Sequence, residues 1–230
     1  MTRPLALTLG DPSGIGPEIA LKAWLARGQS AIPAFALYGD PDLLSARAHA
    51  LGLDVPVEAC ATTDASSLFP SVLPVVRLAH AAVDSAGAPD PANAAAIIES
   101  IDRAVADTLA AHTSAVVTCP IAKKPLYDAG FGFPGHTEYL AHLAQLRTGI
   151  AQRPVMMLAG PDLRTVPVTI HIPLRDVVGA LSTDLIVETG RIVARDLARR
   201  FGIAAPRIAV AGLNPHAGEG GAIGREDEDI

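Results

Sequence analysis

Cysteine is nearly absent from this 230-residue chain, with Cys60 and Cys119 standing far apart. Two such distant residues read better as reduced thiols than as a disulfide framework. Aromatic side chains are also scarce, at 4%, which argues against a base-stacking surface for nucleic acid. A basic excess is missing as well: 18 Lys and Arg against 24 Asp and Glu leave a net charge of -6. No electrostatic footprint for DNA, RNA or anionic lipid is therefore expected, and any phosphate group must be held by a local site. No apolar run approaches the ~20 residues of a membrane span. The opening Met-Thr-Arg-Pro leads into a short strand-like run rather than the apolar core of a signal peptide. A cytoplasmic protein that engages neither membrane nor nucleic acid is the expectation.

What the chain has in quantity is aliphatic. Hydrophobic residues make up 50%, mostly alanine, valine, isoleucine and leucine, which suits helices packed on a buried parallel sheet. The length allows one large domain or two intimate ones. Short apolar runs at residues 4–9, 34–38, 55–59, 75–78 and 114–118 read as strands, and they alternate with helical stretches at 16–24, 41–51 and 93–111. That rhythm is βαβ and predicts an α/β fold. Farther on, helices are expected from about residue 139 to 146 and from 184 to 201. Residues 154–159 and 166–170 read as a hairpin, and 208–211 as a buried strand.

Chemistry gathers where strands end. Gly10-Asp11-Pro12-Ser13-Gly14-Ile15-Gly16-Pro17-Glu18 turns the first strand into a helix, with Pro17 in its first turn. The spacing matches neither the dinucleotide fingerprint nor a P-loop. Asp11 and Glu18 nevertheless put carboxylates at a strand's carboxyl end, where a substrate would sit. Cys119-Pro120-Ile121-Ala122-Lys123-Lys124 brings two lysines to a similar mouth, either as an anion site or as solvated helix residues. Gly130-Phe131-Gly132-Phe133-Pro134-Gly135 satisfies G-x-G-x-x-G as text only, because no strand precedes it. Gly135-His136-Thr137-Glu138, by contrast, opens a helix, where exposed N–H groups favour anions. Thr137 could equally be a simple N-cap. His171 ends an apolar run before Pro173, a setting in which a histidine is usually a satisfied core residue. His216, within Asn214-Pro215-His216-Ala217-Gly218-Glu219-Gly220-Gly221, stands beside a glutamate and close-approach glycines, as a metal or anion site would require. His49, His80, His112 and His142 lack any comparable setting and are expected to be solvated.

Four of these segments, the first glycine-rich turn, Gly135-His136-Thr137-Glu138, His171-Ile172-Pro173-Leu174 and Gly212-Leu213-Asn214-Pro215-His216-Ala217-Gly218-Glu219, occur in an order that resembles the 4-hydroxythreonine-4-phosphate dehydrogenases of pyridoxal phosphate biosynthesis. Thr118-Cys119-Pro120-Ile121-Ala122-Lys123 falls between the first two. The resemblance implies an isocitrate/isopropylmalate dehydrogenase-like α/β/α fold in two lobes, non-Rossmann, with the active site in the cleft and at a homodimer interface. On this reading residues 1–130 form the first lobe and 131–230 the second. It implies that His136 and Thr137 contact substrate and that His171 and His216 ligate a divalent metal, which moves His171 from core residue to ligand. Zinc suits imidazole donors best, with magnesium or cobalt as alternatives.

The implied reaction is NAD- or NADP-dependent oxidation of 4-phosphohydroxy-L-threonine to a β-keto acid that decarboxylates to 3-amino-2-oxopropyl phosphate. The residues do not reveal the proton-transfer base. Siblings acting on phosphorylated threonate or erythronate, or on an aromatic-acid dihydrodiol, are rival readings. An acyl-phosphate transferase of the same architecture and a silent binding protein are more distant ones. The family implies roughly another hundred residues, in keeping with two-lobe enzymes that exceed one ~150-residue domain. The expectation is thus a C-terminally incomplete chain, short of a third metal ligand.

Overall fold

The computed structural model describes residues 2–151 and 153–230. Two compact units divide the chain, Met1–Gln152 and Arg153–Ile230. The expected boundary at 130/131 differs from this one. Helix α6 (His136–Thr148) falls in the first unit because Tyr139 and Leu143 pack with Ile97, Ile101 and Val105 of α4 (Ala94–Leu109).

In the first unit, five strands form a wholly parallel sheet: β1 (Leu5–Thr8), β2 (Phe35–Gly39), β3 (Val57–Ala59), β4 (Leu73–Arg77) and β5 (Val116–Val117), in the order β3-β4-β2-β1-β5. The α/β expectation holds, and each strand predicted in this unit overlaps an observed one. From β1 the chain passes to β2, skips one place to β3 at the edge, comes back to β4 between them, and then crosses through α4 to place β5 on the other side of β1. The order therefore reverses between β1 and β5.

Strand alternation sorts the core. Leu7, Leu9, Phe35, Leu37 and Val75 face one side, with Leu21 and Trp24 of α1 (Gly16–Leu25) and Leu44 of α2 (Pro41–Ala50). Ala6, Ala36, Tyr38 and Val76 face the other, with Ala96 and Ala104 of α4. Successive strand residues point to opposite faces, so a sheet covered on both sides needs the continuous apolar runs that the sequence contains. Small residues on both sides of the second interface let α4 approach closely. Local chemistry starts the helices: the Asp40 side chain accepts from Asp42 N–H, with Pro41 in the first turn of α2. A short helix, α3 (Ala65–Leu68), leads into β4, and α5 (Lys123–Asp128) follows β5.

The second unit contains one long helix, α8 (Thr183–Phe201), capped by Ser182 accepting from Leu185 N–H and ended by Gly202 in the left-handed region. Around it lie the two-residue antiparallel pair β6 (Leu158–Ala159) and β7 (Arg164–Thr165) and the short helices α7 (Val177–Ala180) and α9 (Glu226–Asp229). The predicted hairpin is thus present but much shorter, and residues 166–170 are not a strand. Residues 208–211 are not a buried strand either. Ile208 is 45% and Val210 72% exposed, and residues 204–212 make no backbone–backbone hydrogen bond among the described residues. A strand needs a paired neighbour, and among the described residues none lies alongside this segment. Among the described residues no helix is long and apolar enough to cross a membrane.

Ser100 joins α4 to the sheet. Wholly buried, it accepts from Leu9 N–H at 3.0 Å and donates to the Tyr38 carbonyl at 2.6 Å. Ser100→Ala leaves both backbone groups buried without partners, and the expected loss is about 1–3 kcal/mol of unfolding free energy. Urea denaturation monitored by circular dichroism measures it.

Candidate functional site

The carboxyl ends of β1 and β5 carry the polar features of the first unit. Gly10, at φ +70°, crosses β5 so closely that a Cβ there would come within 2.6 Å of Cys119 Cβ and 2.7 Å of the Pro120 carbonyl oxygen. Asp11 N–H donates to that carbonyl at 2.8 Å. The Asp11 carboxylate is buried and accepts from Ser13 N–H at 2.8 Å. Arg47, reaching from α2, is also buried; it donates to the Pro12 carbonyl at 2.8 Å and pairs with Asp84. Ser13 in turn meets Ser85 Oγ at 2.7 Å and accepts from Gly87 N–H. Asn93 pins the same loop by bonding both the N–H and the carbonyl of Val83. Two loops are thus fixed against each other, and between them and the end of β5 lies a cleft of about 330 Å³. Asp11, Ser13, Gly14, Ile15, Gly87, Pro89, Pro120, Ile121 and Ala122 line it.

Asp11 therefore occupies the position the sequence suggested. Glu18 does not share the cleft: it pairs with Lys22 one helical turn along, which lowers its pKa. The lysine pair divides similarly. Lys124 binds Asp128 at 2.8 Å, whereas Lys123 has no ion-pair partner among the described residues.

Gly135 is the N-cap residue of α6 and His136 its first helical residue, so Thr137 is not the cap. His136 Nε2 is buried and is the one such side-chain atom, among the described residues, without a hydrogen-bond partner. Burial, reinforced by the Lys123 cation, holds this imidazole below the ordinary histidine value. A Cβ added to Gly135 would stand 3.9 Å from Lys123 Nζ and 3.7 Å from Glu138 Oε2, so both charged ends reach the opening of the helix. Half-buried Thr137 follows. A neutral imidazole with a spare nitrogen, an unpaired ammonium and free helical N–H groups together suit an anionic, hydroxyl-bearing ligand. The pattern Gly130 to Gly135 is a turn after α5 and cradles nothing strand-like, as its context suggested.

His171 and His216 lie in the second unit, both exposed. His171 sits in a bend rather than at a strand's end. Its φ is +58° and that of His216 is +53°; Ala217 and Glu219 are positive too. Left-handed backbone costs non-glycine residues about 1–3 kcal/mol each and gathers at functional sites. His216 Nδ1 lies 3.3 Å from Glu219 Oε2. Its loop is clamped from α9: Asp227 accepts from Leu213 N–H at 2.7 Å and from Asn214 N–H at 2.9 Å, while Asn214 Nδ2 donates to Glu226 at 2.7 Å. The Asn214 and Leu213 amides hold Asp227 below its usual carboxylate value. Among the described residues, no three His, Cys, Asp or Glu side chains come together as a metal centre. The imidazoles are suitable donors, but two of them fall short of the three protein ligands a catalytic zinc needs.

Sequence reasoning missed the Arg47–Asp84 lock and the acidic clamp of α9. The lock had a signal, an arginine amid the apolar positions of α2; the clamp has the composition of a solvated charge run. The four histidines expected to be solvated, His49, His80, His112 and His142, are all exposed, His80 also pairing with Glu99 at 2.8 Å and His142 lying against Phe133. The two cysteines are free, as expected.

Residues 31–230 match the family described as pyridoxal phosphate biosynthetic protein PdxA. The chain belongs to the PdxA family. A 4-hydroxythreonine-4-phosphate dehydrogenase from Methylorubrum extorquens is 54% identical over 99% of this chain, which spans 66% of that relative's length. Among solved structures, a 4-hydroxythreonine-4-phosphate dehydrogenase from Burkholderia phymatum superimposes with a TM-score of 0.84 at 29% identity, covering all of this chain and 68% of the other. A terephthalate 1,2-cis-dihydrodiol dehydrogenase from Burkholderia xenovorans is less similar, with a TM-score of 0.62 at 28% identity and 68% of that chain covered. The PdxA match takes in the His136 and His216 segments, both within residues 31–230.

The electrostatics of His136 give a testable consequence. Its pKa lies below 6.5, so the unfolded chain binds the proton more readily and stability falls as pH drops from 6.5 through the folded value. Lys123→Met removes the like charge but not the burial, and His136 should then titrate at higher pH while remaining below 6.5. Following the imidazole Cε1 proton by NMR from about pH 4.5 to about pH 8.5 (roughly two units either side of a free histidine) measures both; an unmoved titration midpoint in the variant contradicts the assignment.

Proposed function

We propose that this protein takes part in the NAD- or NADP-dependent oxidation of 4-phosphohydroxy-L-threonine to a β-keto acid that loses carbon dioxide to give 3-amino-2-oxopropyl phosphate. The observation that carries this reading is the partnerless His136 Nε2 beside unpaired Lys123 at the opening of α6, in a chain with a 54% identical relative bearing that dehydrogenase name. The isocitrate/isopropylmalate dehydrogenase type of two-lobe fold, a homodimer with its site at the interface, and a cytoplasmic setting belong to the same proposal.

His136, neutral near pH 7, offers Nε2 to a substrate hydroxyl or carboxylate. Lys123 supplies the positive charge that a phosphate or carboxylate needs in a chain of net charge -6. Thr137 adds a hydroxyl one residue along, and the first-turn N–H groups of α6 orient the anion. In the second unit, His171 and His216 would hold the divalent metal, zinc being the best match to imidazole and magnesium or cobalt the alternatives. The rest of the ligand set comes from outside the described residues of one chain. When bound, the metal would polarise the substrate's oxygen atoms and the nicotinamide would accept hydride.

The B. xenovorans likeness supports one rival, oxidation of an aromatic-acid dihydrodiol. Unpaired Lys123 favours a phosphorylated substrate over it. With protein, zinc and NAD or NADP, absorbance at 340 nm (about where reduced nicotinamide absorbs) should rise with 4-phosphohydroxy-L-threonine. A rise only with phosphorylated threonate or erythronate, or only with the dihydrodiol, would give the function to a sibling reaction. No rise alongside transfer from an acyl phosphate would sink the dehydrogenase reading.

For the metal, His171→Ala and His216→Ala should each lower zinc content while leaving the fold intact. Their glycine counterparts separate the roles: relief of positive φ should raise stability by about 1 kcal/mol while the metal is still lost. Elemental analysis paired with thermal melting reads both quantities. Full zinc occupancy in His171→Ala would remove that residue from the ligand set.

A further inference from the structure

We propose that Tyr139 and Asp102 are a positioning pair: the hydrogen bond between them fixes the first turn of α6 on α4 and so sets how His136 and Thr137 are presented to substrate. This rests on the dehydrogenase reading above and adds to it two residues that act through others.

The opening of α6 has little of its own to hold it. Its N-cap is Gly135, and no side chain makes a capping hydrogen bond there. The first-turn bond from Tyr139 N–H to the Gly135 carbonyl is long, at 3.3 Å. The approach is no firmer, since Gly130, Gly132 and Gly135 occupy half of residues 130–135. A Cβ added at Gly130 or Gly132 would meet nothing within 4 Å, so neither glycine is there for close packing. Glycine loses more conformational freedom on folding than any other residue, and such a loop has to be ordered by contacts from outside it.

Tyr139 provides those contacts. It stands three residues after His136, on the same face of the helix. Its side chain is buried, and the hydroxyl donates to Asp102 Oδ1 of α4 at 2.5 Å, the length of a charge-assisted bond. Burial and the Asp102 carboxylate both raise the pKa of that hydroxyl, so it is a donor at neutral pH. Among the described residues Asp102 makes no other hydrogen bond and no ion pair. The Tyr139 ring lies edge-on to Phe131, with centroids 5.0 Å apart, and 4.9 Å from Phe133. Both phenylalanines belong to the glycine-bearing loop, so one side chain ties loop and helix together to α4. Tyr127 adds a second tie, its hydroxyl donating to the Pro134 carbonyl at 3.2 Å.

Packing and hydrogen bonding do different things here. Tyr139 and Leu143 pack on Ile97, Ile101 and Val105, which holds the two helices together but is non-directional and leaves α6 free to rotate or slide. A hydrogen bond to one carboxylate oxygen is directional and fixes both. Rotation is what matters to the site, because one residue's turn of the helix, about 100°, exchanges a side chain facing inward for one facing outward. The buried, partnerless Nε2 of His136 is where such a turn would tell most.

Three variants test the pair. Tyr139→Phe keeps the ring and removes the donor; Asp102→Ala, at a half-buried position, removes the acceptor from the other helix. Either should raise KM for 4-phosphohydroxy-L-threonine about tenfold with kcat within about twofold, as expected when a hydrogen bond to a charged group that serves ground-state binding is lost. Asp102→Asn retains an acceptor oxygen and should restore the wild-type KM. The second readout needs no turnover. With His136 turned outward, its Cε1 proton should titrate closer to the ordinary 6.5 in Tyr139→Phe and Asp102→Ala, and stay depressed in Asp102→Asn. Lys123 and Glu138, the charged ends at the helix opening, are unchanged in all three. Lower melting temperatures with KM and the His136 titration unmoved would reduce the pair to fold stabilisation and overturn the proposal. A His136 titration that moves as expected, in a protein whose wild type oxidises none of the substrate, would uphold the positioning role and overturn the dehydrogenase reading.

Discussion

A backbone crossing supports the rest of the first unit: Gly10 lies so close to Cys119 and Pro120 that only a hydrogen atom fits between the two chains. That approach lets Asp11 N–H reach the Pro120 carbonyl and brings the ends of β1 and β5 into register beyond the last paired residues. Gly16 repeats the constraint, since a Cβ there would stand 2.5 Å from the Leu9 carbonyl oxygen. Once the seam is closed, the remaining contacts follow. Arg47 can reach the Pro12 carbonyl, Ser13 can meet Ser85, and the loop bearing Gly87 and Pro89 becomes the far wall of a cleft.

Much of this unit was legible in the sequence because its strands are buried on both faces and its helices carry local start signals. Asp40-Pro41 announced α2, and the glycine-rich turn announced the passage from β1 to α1. Burial of this kind leaves a one-dimensional trace. For the Arg47–Asp84 pair the trace is half there: an arginine amid the apolar positions of α2 is visible, but its partner is 37 residues away and their proximity depends on the completed sheet. His136 was marked by its place at a helix opening, but its partnerless nitrogen and the influence of Lys123 are properties of the fold alone.

The second unit was harder to read for a physical reason. Ile208-Ala209-Val210-Ala211 has the composition of a central strand, yet strand formation is a property of pairs, and no neighbour accompanies it among the described residues. What was legible there was the loop that follows. Pro215 and the surrounding glycines pointed to irregular backbone, and His216 and Ala217 do adopt left-handed conformations. The carboxylates of α9 stabilise that irregularity by accepting the amides of Leu213 and Asn214. Strain at His171 and His216 and an acidic clamp beneath one of them form an arrangement that ordinary connecting loops do not need.

The central claim is that the closed seam between β1 and β5 organises the cleft and its loops. Hydrogen exchange of the Asp11 amide, compared between wild type and Gly10→Ala, tests it most directly. The added methyl meets Cys119 and Pro120 and sits on a backbone at φ +70°, costing about 1–2 kcal/mol in conformational strain alone. The account predicts that Asp11 exchange accelerates by at least about tenfold, the factor carried by 1.4 kcal/mol, while amides of α4 keep their protection. Unchanged Asp11 exchange in the variant would contradict it.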